Sequence, residues 1–132
     1  MFKLKHLLFH VSRILLGVIF LGAGINGYFV ILQFDPFIPT SPEAMALFEF
    51  HYLLVAEKTL EVICGVLLLC NRFVPLAVAL LAPLIANIVL LHIFLDHSLL
   101  PLAIVLLLLH IYLLFYYKNN FIKLLEKQPS VP

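Results

Sequence analysis

Charged side chains are scarce in this sequence. Only 11% of its 132 residues are Asp, Glu, Lys or Arg, whereas roughly a quarter of an ordinary soluble domain is charged. The formal net charge is +1, and the chain lacks the clustered lysine and arginine that neutralise nucleic-acid phosphates. Hydrophobic residues make up 64% of the chain instead. This composition predicts a single domain that sits in a lipid bilayer and has no nucleic-acid partner.

Cysteine is also sparse. Cys64 and Cys70 lie in one apolar segment, at a spacing that matches neither a CxxC redox pair nor a zinc site. We expect both to behave as small apolar residues. A secretory signal peptide is disfavoured too, because the first apolar run, residues 14–32, is not followed by a small-residue cleavage pattern. That run is predicted to be a retained helix.

Long apolar runs dominate the chain. A helix needs about 20 mostly apolar residues to cross a bilayer, and four stretches qualify: residues 14–32, 51–70, 73–95 and 99–117. They lack the alternation of apolar and polar residues that a membrane barrel requires, and the short links between the last three make neighbours antiparallel. The predicted fold is an all-α integral membrane four-helix bundle, with residues 1–132 forming one transmembrane domain.

The connection between the first two spans contains three prolines, which exclude a continuous helix: Pro36, Pro39 and Pro42. Thr40 or Ser41 is suited to cap a new helix. We expect this second helix to run from Pro42 to Cys70. At about 43 Å it would exceed the roughly 30 Å of hydrocarbon, so residues 43–50 should lie at or above the membrane surface.

Lysine and arginine predict the orientation, since they concentrate on the cytoplasmic side. With the N-terminus inside, seven of the eight lie on the inner side: Lys3, Lys5, Arg13, Arg72, Lys118, Lys123 and Lys127. The outer links contain none. Both termini are therefore predicted to be cytoplasmic. The tail, residues 118–132, is predicted to be a short interfacial helix that frays at Pro129 and anchors the chain.

Five polar residues of the apolar spans are predicted to lie at similar depths. Counting about 1.5 Å per residue from the inner boundary places them all between about 12 and 22 Å deep, so every span contributes to one layer. The five residues are Asn26, Glu57, Glu61, Asn87 and His110. They form a candidate intramembrane polar pocket centred on Glu61. The other interpretation is structural, with hydrogen bonds among these groups locking the helices together.

Lys58 is the one basic residue left inside a span. We expect its long stem to carry the ammonium toward the outer interface, and pairing with Glu61 at i+3 is the alternative. Gly17 and Gly24, a heptad apart, are predicted to allow close helix contact. Pro83 is expected to open the hydrogen-bond ladder and offer a carbonyl to the polar layer.

The histidines do not predict a metal or haem site. An exposed site can be drawn from His51, His92, Asp96 and His97, but the spacing is not that of a zinc motif. Bis-histidine haem would need two histidines at one depth. His92 is about 30 Å and His110 about 12 Å from the inner boundary. No catalytic, metal or cofactor motif is evident, and whether the chain has enzymatic activity stays open.

Two stretches resemble the DoxX family of small bacterial membrane proteins: RILLGVIFLGAGINGYFVI in the first span, and EKTLEVICGVLLLCNRFVPLAVALLAPLIANIVLLHIFLD across the second and third. The resemblance implies a four-helix protein of the bacterial cytoplasmic (inner) membrane. A relative, the DoxD-type subunit, belongs to a thiosulfate:quinone oxidoreductase, which makes quinone the ligand that the resemblance implies. Many members carry a lysine near the end of the first helix, where this chain has Asn26 and Gly27.

Three functional hypotheses follow. The first is a DoxX-like membrane subunit of a quinone-linked oxidoreductase system, in which a soluble or membrane partner brings the redox centre and the polar layer lines a pocket. The second is a small transporter or channel component that uses the buried glutamates; four spans are few for a transporter, so this hypothesis predicts a homo-oligomer. The third is a scaffold in the bilayer that binds no ligand.

Overall fold

The structure is a computed structural model that describes residues 2–128 and 130–131. All the regular structure in these residues is helical. In chain order the helices are α1 (Phe2–Ile31), α2 (Pro42–Leu47), α3 (His51–Leu69), α4 (Val74–Phe94), α5 (Leu100–Tyr116) and α6 (Lys118–Ile122), with short 3₁₀ turns at His97–Leu99 and Lys123–Leu125. The four long helices, α1, α3, α4 and α5, form a closed ring in which each packs against two neighbours in that order.

Three of the helices in the described residues are long and apolar enough to cross a membrane. They are α1, α4, and α5 together with the 3₁₀ turn before it: Phe2–Ile31, Val74–Phe94 and His97–Tyr116. The all-α, membrane-compatible fold is thereby confirmed. The remaining long helix, α3, has 19 residues but carries Glu57, Lys58 and Glu61. Its place in a bilayer therefore depends on how these three charges are satisfied.

The connection from α1 to α3 differs from the prediction. α2 begins where expected, and Ser41 caps it by accepting the N–H of Ala44 at 3.4 Å. The helix ends after six residues, because Phe48 and Phe50 adopt non-helical dihedral angles, and α3 starts separately. The prediction of one continuous helix from Pro42 is wrong. After the bend, α2 lines one cavity together with residues of all four long helices.

The C-terminal tail forms the predicted short helix, α6, followed by a 3₁₀ turn. The exposed Leu124 and Leu125 give this segment an apolar side. Pro129, where fraying was predicted, lies outside the described residues.

Glycine allows α1 and α3 to approach most closely, as predicted for Gly17 and Gly24. A Cβ at Gly24 would lie 2.6 Å from Val62 Cγ2 and 3.1 Å from a backbone oxygen of α3. From the opposite side, a Cβ at Gly65 would lie 2.7 Å from the backbone nitrogen of Leu21. All three distances are shorter than van der Waals contact, so a larger residue would force the helices apart.

Arg13 holds the other end of the same interface. Its guanidinium donates to the carbonyl oxygens of Leu68 and, at 3.2 Å, of Leu69, although the side chain is only 6% exposed. These carbonyls belong to the last turn of α3, which has no further residues in the helix to donate to them. Arg13 therefore caps α3 from α1 and ties the two helices together.

Matched substitutions can compare a glycine at the close contact of α1 and α3, Gly65, with one that faces open space, Gly22. Gly65→Ala should lower the free energy of unfolding by about 1–3 kcal/mol, because its Cβ overlaps the backbone of α1. Gly22→Ala should leave it unchanged or raise it by up to about 1 kcal/mol, since a Cβ at Gly22 meets nothing within 4 Å. The measurement is unfolding by SDS in mixed micelles, followed by circular dichroism. Equal effects of the two substitutions would contradict the close contact.

Candidate functional site

A cavity of about 520 Å³ lies at the end of the bundle where α1 and α4 finish and α3 and α5 begin. Residues 38–48, here called the roof segment, cover it and contribute Ile38, Met45 and Phe48 to its lining. Most of the lining is apolar. Its volume falls within the roughly 300–1,000 Å³ typical of small-molecule sites. The cavity is therefore large enough for a ligand with an apolar body.

Four of the five candidate pocket residues line this cavity: Asn26, Glu57, Glu61 and Asn87. They come from three different helices, so the fold brings together groups that lie far apart in the chain. His110 is the exception and is absent from the lining. Among the described residues, none of these four side chains forms a hydrogen bond with another of the four.

Lys58 and Glu61 form an ion pair inside the cavity. The ammonium Nζ lies 3.2 Å from Glu61 Oε2 and 3.3 Å from Oε1, and the Glu61 side chain is only 2% exposed. The Lys58 stem runs along Gly27, where any Cβ would overlap its carbons. The ammonium also lies 6.0 Å from the Phe48 ring centroid. The expectation that Lys58 reaches toward the interface is wrong, and the alternative pairing with Glu61 is found.

Glu57 lies one helical turn before Glu61 on α3, and both side chains line the cavity. Glu57 is less buried than Glu61 and lies nearer the roof segment. On α4, Asn87 also lines the cavity, and it makes no side-chain hydrogen bond to any residue between 2 and 128. Its amide is therefore free to bind a ligand.

Asn26 is buried and forms two hydrogen bonds to one residue of the roof segment. Its Oδ1 accepts the Ile38 N–H at 2.9 Å, and its Nδ2 donates to the Ile38 carbonyl at 3.1 Å. The amide thereby fixes the roof segment to α1. The sequence indicated that Asn26 is buried, but its partner lies in an aperiodic loop whose position no pattern predicts.

His110 satisfies its hydrogen bond away from the cavity. Its Nε2 donates to the carbonyl of Val78 on α4 at 2.8 Å. Pro83 has no N–H to donate to the carbonyl of Ala79. The histidine binds the carbonyl of Val78, the residue before Ala79. Among residues 2–128 no side chain bonds to the Ala79 carbonyl, so the polar contact predicted from Pro83 is not found.

His92 joins the site without having been predicted there. It is 7% exposed and lines the cavity, and its Nδ1 donates to the backbone carbonyl of Asp96 at 2.7 Å. Hydrogen bonds from the Ser98 hydroxyl and backbone N–H hold the pKa of the Asp96 carboxyl below its usual value. In the described part of the chain, no three His, Cys, Asp or Glu side chains are placed to hold a metal ion.

Comparison with protein-family models, with curated proteins and with solved structures finds no match to this chain.

The ion pair can be tested with a double-mutant cycle. Lys58→Met removes the charge but keeps an apolar stem, and the buried Glu61 carboxylate then has no cation. We expect the free energy of unfolding to fall by about 3 kcal/mol, and Lys58→Met/Glu61→Gln to recover most of the loss. SDS unfolding in mixed micelles gives both values. If the two single losses simply add in the double variant, the residues do not interact.

Proposed function

We propose that this chain is a DoxX-like membrane protein of the bacterial cytoplasmic membrane, that all four long helices span the bilayer, and that both termini are cytoplasmic. The ion pair supports the spanning of α3, because a paired charge is far less costly in hydrocarbon than a free one. The family lysine that is missing at the end of the first helix has a counterpart in Lys58, whose stem fills the space beside Gly27.

Alkaline phosphatase fusions test this topology, since the enzyme is active only outside the cytoplasm. A fusion truncated after Asn71 should be inactive and one after His97 active, because α3 returns the chain to the inside and α4 carries it out. Green fluorescent protein at the C-terminus should fluoresce. An active enzyme after Asn71 would instead show that α3 does not cross the membrane.

We further propose that the cavity binds a small lipophilic molecule taken from the bilayer. One observation carries this: the fold assembles polar residues from three helices inside an apolar cavity of about 520 Å³. The resemblance makes quinone the first candidate and a membrane subunit of an oxidoreductase system the matching role. A redox partner would bring the electron-transfer centre, and this chain would hold the ligand.

Filling the cavity tests the binding. Gly22 lines it and has open space where a Cβ would stand, so Gly22→Phe should occupy the volume without displacing α3. We expect native mass spectrometry to detect bound decylubiquinone or a co-purified lipid on the unaltered chain and to show at least a roughly tenfold loss in the variant. Leu15→Phe, on an exposed part of the same helix, is the size-matched control. Equal binding by all three proteins would refute the cavity as the site.

The Glu57, Glu61 and Lys58 group also supports a second candidate, a transport component that moves a proton or cation. This candidate needs an oligomer, so chemical crosslinking in native membranes that yields only monomer would count against it. A ligand-free scaffold is distinguished by Glu61→Gln, which should then reduce the stability of the bundle and leave function intact.

A further inference from the structure

We propose that the cavity selects an amphiphile with a positively charged head group, an amine or ammonium on an apolar body, and that this ligand displaces a proton held between Glu57 and Glu61. The inference rests on the proposed function, that the cavity binds a small lipophilic molecule, and it specifies the head group. It differs from the quinone that the resemblance implies.

The charges that line the cavity do not balance. Its titratable lining residues are Glu57, Lys58 and Glu61 on α3 and His92 on α4, whereas α1, α5 and the roof segment contribute none. Lys58 neutralises one carboxylate by pairing with Glu61. Glu57 makes no ion pair within 4.0 Å among the described residues, and an uncompensated charge inside apolar walls is costly. One more positive charge is needed, either a proton or a bound cation.

The two carboxyl groups are arranged to hold that charge as a proton. Glu57 and Glu61 are one helical turn apart on α3, and both line the cavity. Two carboxyl groups that share one site do not both ionise readily, so they hold one proton between them. Because Glu61 is buried and paired with Lys58, the more accessible Glu57 is the group that an incoming ligand meets.

The remainder of the cavity suits an organic cation better than a metal ion or a quinone. Apolar walls accommodate an alkyl or aryl body, the Phe48 ring can contact an ammonium, and Asn87 Oδ1 can accept from an amine N–H. A Ca²⁺ or Mg²⁺ ion would need about six oxygen ligands, more than these groups supply. A quinone offers only acceptor oxygens, which compensate no carboxylate.

The exchange is balanced without any redox step. An ammonium ion enters, the shared proton leaves Glu57 and Glu61 for water, and the total charge in the cavity is unchanged. Because the cation competes with the proton, its affinity should rise with pH, by at most about tenfold per pH unit while the proton is bound. Over the same range, a neutral ligand should show no such dependence.

Calorimetry in lipid nanodiscs tests the exchange. The probes are hexyltrimethylammonium, which cannot itself lose a proton, and uncharged hexanol, with empty nanodiscs to subtract partitioning. Titration in two buffers of different ionisation enthalpy counts protons. We expect hexyltrimethylammonium to bind with release of about one proton. Glu57→Gln should abolish the release and weaken cation binding roughly tenfold or more.

Three controls locate the effect. Glu49→Gln changes an exposed carboxyl outside the cavity lining and should behave like the unaltered chain. His92→Asn retains an N–H donor for the Asp96 carbonyl, and loss of proton release in this variant but not in Glu57→Gln would overturn the proposal. Gly22→Phe should block every probe that enters the cavity.

The outcomes also separate this inference from the proposed function. In one outcome hexanol or decylubiquinone binds, Gly22→Phe abolishes this binding, and hexyltrimethylammonium does not compete for the site. That result supports the cavity and refutes the cationic head group. Cation binding that Glu57→Gln leaves unchanged refutes it as well. Failure of every probe to distinguish Gly22→Phe from Leu15→Phe refutes the cavity itself.

Discussion

The close approach of α1 and α3 determines most of this structure. Glycines on both helices remove the side chains that would hold the backbones apart, and Gly27 leaves the space through which the Lys58 stem passes. Without that space the ammonium could not lie beside Glu61, and α3 would bury the Glu61 carboxylate without a cation. The ion pair therefore depends on the glycines, because the space beside Gly27 is what allows the Lys58 ammonium to reach Glu61.

The cavity follows from the same geometry. Where glycine brings α1 and α3 together the bundle is tightly packed, with Leu16 and Leu68 fully buried. Toward the roof segment that packing ends, and the volume between the four long helices is left to polar residues and open space. The double hydrogen bond from Asn26 to Ile38 fixes the loop before α2 over this volume. The site is thus built by a helix interface below and a fixed loop above.

The sequence predicted the features that depend on composition and position along a helix. Apolar length identified the long helices, proline and Ser41 located the start of α2, and depth counting placed Asn26, Glu61 and Asn87 at similar heights. Depth does not give direction around the helix axis, where each residue turns by 100°. His110 has a suitable depth, yet its imidazole meets a carbonyl of α4 instead of the cavity.

The predictions that failed concern groups whose partners lie in irregular or flexible parts of the chain. Lys58 had two partners within reach of its stem, water at the interface and a carboxylate at i+3, and only the packing at Gly27 distinguishes them. The end of α2 was missed because its residues favour a helix locally, while covering the bundle end is a tertiary requirement. His92 was assigned to the surface because the roof segment above it could not be placed.

Arg13 caps α3 at the end of the bundle opposite the cavity. Between the Arg13 guanidinium and the cavity the bundle is packed with mostly apolar side chains, and Leu81 and Leu113 are fully excluded from solvent. The cavity does not continue to the Arg13 end of the bundle, because its lining stops at Val18 on α1, Glu61 on α3, Asn87 on α4 and Leu106 on α5. A passage to the opposite side would require the helix interface itself to come apart.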